Sequence, residues 1–177
     1  MIIFKHLKYY SVVIILFSLV LNSCQEKVEE APKSSLELRD NLLYKVGSDK
    51  PFTGRERALV KGKIIEYDVK DGLKHGEFKV FFENGNIEMQ GQIDSNRNVG
   101  KWQYFYEDGN IESEGNFDFD KPNGKWVWYY PDGTKREEGN YNNGIQVGTW
   151  FEFDSTGTVI SEHEYEMGES SKDSSDT

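Results

Sequence analysis

The stretch Gly100-Lys101-Trp102-Gln103-Tyr104-Phe105-Tyr106-Glu107-Asp108-Gly109-Asn110-Ile111-Glu112-Ser113-Glu114-Gly115-Asn116-Phe117 decides the fold. An Asp-Gly pair between two such runs is a strong signal for a β-hairpin. The pattern returns at a fixed period: Gly76, Gly100, Gly124 and Gly148 open four copies spaced 24 residues apart. Two residues after each opening glycine stands Phe78, Trp102, Trp126 or Trp150, and nine after it Gly85, Gly109, Gly133 or Gly157. Fifteen after it stand Gly91, Gly115, Gly139 and finally His163. A strict period of this length marks a repeat architecture in which each unit buries its apolar face with help from its neighbours.

The register follows from burial. A two-residue turn at Asn84-Gly85 and its counterparts makes the offsets of cross-strand partners, counted from the opening glycine, sum to 17. Trp102, Tyr104 and Tyr106, or Trp126, Trp128 and Tyr130, then share one face, with Trp102 and Trp126 opposite Gly115 and Gly139, so that rings lie over bare glycines. A three-residue bulged loop would make the sum 16 and set the aromatic face of the first copy against Asn86, Glu88, Gln90 and Gln92. Because a slip of one residue turns a whole strand over, an apolar face selects the first register. Upstream, Pro51-Phe52-Thr53-Gly54 begins a degenerate copy, and Leu42, Leu43, Tyr44 and Val46 supply a further strand. Downstream, Glu152, Asp154 and His163 give the last copy the polar character of a cap. The expected fold class is all-β, an elongated antiparallel meander of tandem 24-residue hairpins filling residues 41–166.

The Gly-Lys-Trp starts at Gly100 and Gly124, the aromatic trio, the Asp-Gly turn and the Glu-Gly before an aromatic resemble the MORN-repeat variant of YwqK-type proteins. The resemblance runs from about Leu42 to Tyr165. It implies a hairpin-repeat fold and, through the label that family carries, an antitoxin- or immunity-like role beside a toxin-like partner.

The ends point to the cell envelope. Lys5 and Lys8 precede the apolar run Val12–Leu21, which is shorter than the roughly 20 residues of a membrane span and reads as a signal peptide over residues 1–23. The run stops at Leu21-Asn22-Ser23-Cys24, which resembles a bacterial lipobox and makes Cys24 the expected lipidation site. Cys24 is the single cysteine, so no internal disulfide staples the fold. Residues 24–40 read as a lipidated cysteine with a flexible tether, and residues 167–177 as a disordered acidic tail. Gln25, Glu26, Lys27, Glu29 and Glu30 resemble the acidic signal that carries some lipoproteins to the cell surface, and equally fit a solvated linker. Once Lys5 and Lys8 leave with the signal peptide, 19 of the 21 basic residues remain against 31 acidic ones, an excess of 12 negative charges. Such a surface excludes nucleic acid as a partner and leaves the lipid on Cys24 to hold the membrane, at the outer membrane or cell surface.

Candidate chemistry is thin. His75 sits in a loop, and His163 beside Glu162, Glu164 and Glu166 lies on a strand whose alternate residues face opposite ways. Asp94, Asn96 and Asn98 start like a calcium loop, but the sixth position is Val99 and the twelfth Phe105, where glycine and a bidentate glutamate belong. No catalytic residue, metal site or cofactor is expected. What remains is a column of rings at the fifth offset, Phe81, Phe105, Tyr129 and Phe153, on the face opposite the tryptophans and set against Glu88, Glu112, Arg136 and Ile160. This column reads either as a secondary packing stripe covered by the curl of the sheet or by the tether, or as the candidate binding surface, for an unidentified protein partner, toxin-like in the antitoxin reading, or for a glycan. The glycan alternative has its own warrant: Gly124-Lys125-Trp126-Val127-Trp128-Tyr129-Tyr130 before Asp132-Gly133 is similar to the aromatic hairpins of choline- and glucan-binding repeats.

Overall fold

The computed structural model describes residues 33–166. The expected signal peptide, Cys24, most of the tether and the tail 167–177 lie outside the described residues. The described chain is all-β, with strands β1 (Leu36–Arg39), β2 (Leu42–Lys45), β3 (Gly54–Val60), β4 (Lys63–Lys70), β5 (Leu73–Phe81), β6 (Ile87–Asp94), β7 (Arg97–Phe105), β8 (Ile111–Asp118), β9 (Lys121–Pro122), β10 (Gly124–Tyr129), β11 (Lys135–Asn142), β12 (Ile145–Phe153) and β13 (Val159–Tyr165). Strands β3 to β13 form one antiparallel meander in chain order, with β9 paired off the main path to β8, while β1 and β2 form a separate two-stranded sheet. The four repeats are the hairpins β5–β6, β7–β8, β10–β11 and β12–β13.

The register summing to 17 holds through most of each hairpin: Trp126 faces Gly139 and Gly124 faces Tyr141, while Trp102 faces Gly115 and Gly100 faces Phe117. The turn that was expected to produce it is different. Gly133 donates its N–H to the carbonyl of Tyr130, and Tyr130 donates to the carbonyl of Thr134, which makes Pro131-Asp132-Gly133 a three-residue loop with Gly133 left-handed at φ 84°. This is the loop in which a turn is followed by a glycine bulge. Asp132 Oδ1 accepts the Thr134 N–H at 2.8 Å, and Asp108 Oδ1 and Asn84 Oδ1 do the same for Asn110 and Asn86. The short polar side chain therefore closes its own loop. One extra residue in the loop moves the sum to 16, as the pairs Phe81–Ile87, Phe105–Ile111, Tyr129–Lys135 and Phe153–Val159 show. A bulge at Glu88, Glu112, Arg136 or Ile160 then restores 17. Two-residue turns with both residues left-handed do occur, but at the other end of each repeat, as at Ser95-Asn96 (φ 50° and 68°) and Asn143-Gly144 (φ 54° and 90°).

The rings also lie over different glycines from those expected. A Cβ on Gly91 would sit 2.2 Å from the indole of Trp102, on Gly115 2.2 Å from Trp126, and on Gly139 2.1 Å from Trp150. Each tryptophan thus leans onto the preceding repeat and not onto its partner within the hairpin. Opposite Gly91 the ladder skips from Gln90–Gln103 to Gln92–Val99, so Gly100, at φ 64°, and Trp102 fall in a bulge between the repeats. There the indole N–H of Trp102 donates to the carbonyl of Gln92 at 3.2 Å, as Trp126 does to Asn116 at 3.1 Å and Trp150 to Asn140 at 3.3 Å. The three indoles are at most 5% exposed, and edge-on contacts to Phe117, Tyr141 and Tyr165 bind them into one continuous aromatic seam. Burying each ring contributes about 1.5–3 kcal/mol, and the seam ties each repeat to the one before it.

One further correction concerns the tether. Its last residues, Leu36–Arg39, form β1 and pair with β2 across Asp40-Asn41, and Ser34 and Ser35 hydrogen-bond the nearly buried carboxylate of Glu56 on β3. Leu36 and Leu38, near the end of the polar stretch, alternate as a strand does, and the two serines supply the donors that Glu56 needs once it leaves water.

Candidate binding surface

Strand alternation sends Trp126 and Trp128 to one face of the sheet and Lys125, Val127 and Tyr129 to the other. Phe81, Phe105, Tyr129 and Phe153 hold the same place in β5, β7, β10 and β12, and all four are half-buried. Since two strands separate consecutive members, the column steps by about 10 Å. The partners expected for these rings are corrected by the loop geometry: Ile87, Ile111, Lys135 and Val159 stand opposite them, and Glu88, Glu112, Arg136 and Ile160 are the bulge residues.

Phe81, Tyr129 and Phe153 are set by their neighbours. The Arg57 guanidinium lies 5.7 Å from the Phe81 centroid, Lys135 Nζ lies 5.3 Å from that of Phe153, and Phe151 is 6.4 Å from Phe153. The Tyr129 hydroxyl donates to Glu114 Oε1 at 3.4 Å, and burial, followed by the charge of Glu114, raises the pKa of that phenol. Glu114 in turn is held below the usual carboxylate range, first by the ammonium of Lys101 at 2.9 Å. Gln90 donates to Gln103 and Gln103 to Glu114, both at 3.0 Å, a polar chain running across the repeats beside the ring column. Nothing in the hairpin pattern singled out this chain, because glutamines at the third and fourteenth offsets occur in one place only. A groove of about 290 Å³ opens there, lined by Glu77, Lys79, Gln90, Gln92, Lys101 and Gln103 over the bare backbone of Gly91.

Backbone carbonyls behind the column are also occupied. The Tyr106 hydroxyl donates to the carbonyl of Tyr129 at 2.7 Å and the Tyr130 hydroxyl to that of Phe153 at 2.8 Å. Asn84 and Asn86 both donate to the carbonyl of Glu107, and Asn110 to that of Pro131. These bridges between successive repeats fix the spacing of the rings on a rigid frame. The 24-residue recurrence of Tyr at the sixth offset and Asn at the tenth carried this signal in the sequence.

The acidic loops are structural. Asn98 N–H donates to Asp120 Oδ1 at 2.7 Å and Lys74 N–H to Asn96 Oδ1 at 2.9 Å, so these side chains pin each two-residue turn to the repeat before it. Asp94, beside Ser95 and His75, and Asp132, under the Thr134 N–H, are both held below the usual carboxylate range by those hydrogen bonds. His163 packs edge-on against Tyr165 at 4.4 Å and stands opposite Trp150. Among the described residues no group of His, Cys, Asp and Glu is placed to hold a metal ion.

A single sheet of tandem hairpins stitched by an aromatic seam defines an all-β repeat protein. Residues 74–94, 98–118, 122–143 and 146–167 match the family described as "MORN repeat variant", so the chain carries four tandem repeats of that kind. The four matches coincide with the hairpins β5–β6, β7–β8, β10–β11 and β12–β13. No curated protein matches the chain.

Proposed function

We propose that this protein is a non-catalytic scaffold that binds another protein through the face opposite the tryptophan seam. The observation that carries the reading is the column Phe81, Phe105, Tyr129 and Phe153: four half-buried rings at one repeat position, on a face whose other positions are mostly charged or polar. Aromatic side chains are enriched at the centres of protein interfaces, with charged residues at the rim. A repeat sheet supplies such a surface in length, and the seam on its other face already holds the fold. The titratable groups nearest the column are spent on one another, Lys101 with Glu114 and Lys125 with Glu138 at 2.9 Å each, which is the chemistry of a rim and not of an acid–base pair.

The setting is a bacterial envelope. Cys24 after its apolar run is the lipid attachment point, the acidic surface turns away nucleic acid, and an antitoxin- or immunity-like role follows from the resemblance to YwqK-type proteins. A second reading, carbohydrate binding, is favoured by the groove over Gly91, where the amides of Gln90 and Gln103 and the ends of Lys79, Lys101 and Glu77 line a site near the small end of ligand pockets.

Pull-down with residues 25–177 from whole-cell lysate, run beside a glycan array, separates the two. The scaffold reading expects a protein captured by the wild type and not by the Phe105→Ser, Tyr129→Ser double variant. A glycan retained by the wild type and lost on Gln103→Ala, with no protein captured, would replace it with the carbohydrate reading.

A further inference from the structure

The ring column is part of a longer row. Phe81 stands between Ile64 on β4 and Ile87 on β6, Phe105 is paired with Ile111, and Phe153 with Val159. Directly paired residues project from the same face of a sheet, so rings and aliphatic side chains alternate in one line across the strands. Lys135, opposite Tyr129, breaks the row; its ammonium lies 5.3 Å from the Phe153 centroid, which shows where that position points. The row is one residue wide. Two residues along the strands, at about 7 Å, the same face carries mostly polar groups, among them Gln103, Glu114 and Glu138, with Val127 and Phe151 as exceptions.

Spacing selects what can lie along this row. Consecutive rings are two strand spacings apart, about 9.6 Å. A polyproline II helix repeats every three residues, about 9.3 Å, so every third side chain stays within about 1 Å of a ring over all four. An α-helix repeats its face at about 10.5 Å per seven residues and drifts by about 3 Å over the same distance. Its diameter of about 10–12 Å would also cover the polar groups on the flank. An extended strand presents same-face side chains about every 6.7 Å, out of step with the rings.

The hairpin loops beside the row set the charge. Residues 82–86, 106–110, 130–134 and 154–158 hold Glu83, Glu107, Asp108, Asp132 and Asp154 and no lysine or arginine. The cation within the row, Lys135, is held by Glu138 at 2.5 Å. We infer that the row docks a proline-rich segment of a partner protein in the polyproline II conformation, with every third residue over a ring and basic residues turned toward the acidic loops. This rests on the scaffold reading and names the partner chemistry for its surface. Aromatic-lined grooves receive such segments because the helix is formed before binding and loses little entropy. The ends of this chain are poor occupants. Residues 25–32 carry Glu26, Glu29 and Glu30 against Lys27, residues 167–177 carry Glu169, Asp173 and Asp176 against Lys172, and neither has proline at a period of three.

The probe is a labelled twelve-residue peptide repeating proline–proline–arginine, about 37 Å long in this conformation, titrated against the full-length protein by fluorescence anisotropy. Three control peptides accompany it: one repeating proline–proline–glutamate, one repeating glycine–glycine–arginine, and a helical peptide with leucines at heptad spacing and the same number of arginines. We expect binding of the probe that weakens with salt, with a loss of about tenfold or more for the first two controls. The Glu83→Lys, Glu107→Lys variant, which leaves the loop-closing Asn84 and Asp108 in place, should lose about as much. The Phe105→Ser, Tyr129→Ser variant should lose the peptide while keeping its β-sheet spectrum. No binding, equal binding of the glycine peptide, tighter binding of the helical peptide, or binding indifferent to the loop charge reversal would overturn the inference. So would a dimer that dissociates on Phe105→Ser with Tyr129→Ser, which would make a second copy the occupant. A ring variant that unfolds would remove the scaffold reading as well, whereas capture of a protein from lysate without binding of the probe would sink this inference alone.

Discussion

Replacing Gly139 by alanine adds one methyl group at the junction between the third and fourth repeats. The backbone of Gly139 is not left-handed, so the cost is steric alone: the new Cβ would sit 2.1 Å from Trp150 Cδ2 and 2.2 Å from Cε2. Carbon atoms rest at about 3.5–4.0 Å, so the indole must retreat by about 1.5 Å. That movement stretches the 3.3 Å bond from the indole N–H to the Asn140 carbonyl and disturbs the edge contacts to Tyr141 at 5.1 Å and Tyr165 at 6.0 Å. Overpacking of this kind costs about 1–3 kcal/mol and a lost hydrogen bond about 0.5–1.5 kcal/mol. Together about 2–4 kcal/mol lowers Tm by roughly 8–15 °C in a domain of this size. Thermal melts followed by circular dichroism measure it, and a double-mutant cycle identifies the ring responsible. Trp150→Leu should cost about 1–2 kcal/mol less in the Gly139→Ala background than in the wild type, whereas Trp126→Leu, across the hairpin from Gly139, should show much weaker coupling. Gly139→Ala melting within about 1 °C of wild type, or coupling to Trp126 and not to Trp150, would refute the account of how the repeats lock together.

Other outcomes follow from the same geometry. Tyr130→Phe removes a single hydrogen bond to the Phe153 carbonyl and should cost about 0.5–1.5 kcal/mol, far less than Trp126→Ala, when both are melted under denaturant. Burial, with the charge of Glu152 opposite, raises the pKa of Glu137 above its ordinary 4.5, so ionising it opposes folding and stability falls as pH rises from 4.5 through the raised value. Glu137→Gln should therefore melt higher than wild type at neutral pH, with the gap closing as pH approaches 4.5; a gap that is constant with pH would contradict this. Cys24→Ala should release the protein from the membrane fraction or leave its leader uncleaved, read by fractionation and mass spectrometry.

The period of 24 and the burial of Trp102, Trp126 and Trp150 were legible because glycine and tryptophan recur at fixed offsets on an alternating pattern. The loop at Asp132-Gly133 was misread for a physical reason. Asp-Gly fits a two-residue turn and a three-residue loop equally, and the choice belongs to the Asp132 side chain capturing the Thr134 N–H. The compensating bulge falls on Glu88, Glu112, Arg136 and Ile160, residue types that carry no bulge signature. Which glycine each indole covers could not be read from pairing, since Trp126 faces Gly139 in the ladder while its ring leans to Gly115, drawn by the Asn116 carbonyl. Of the candidate surface, the alternation that sends Phe81, Phe105, Tyr129 and Phe153 away from the seam was readable, and the polar chain Gln90–Gln103–Glu114 was not, because it exists only where two glutamines meet across repeats.

The central claim is a division between the faces, one holding the fold and the other left to bind. It is tested most directly by melting two variants beside the wild type and assaying the same preparations for partner capture. Trp126→Ala should lose roughly 3–5 kcal/mol of stability. Phe105→Ser with Tyr129→Ser should keep the β-sheet spectrum and lose much less, while abolishing capture. A double variant that unfolds as readily as Trp126→Ala would contradict the claim and return the ring column to the core.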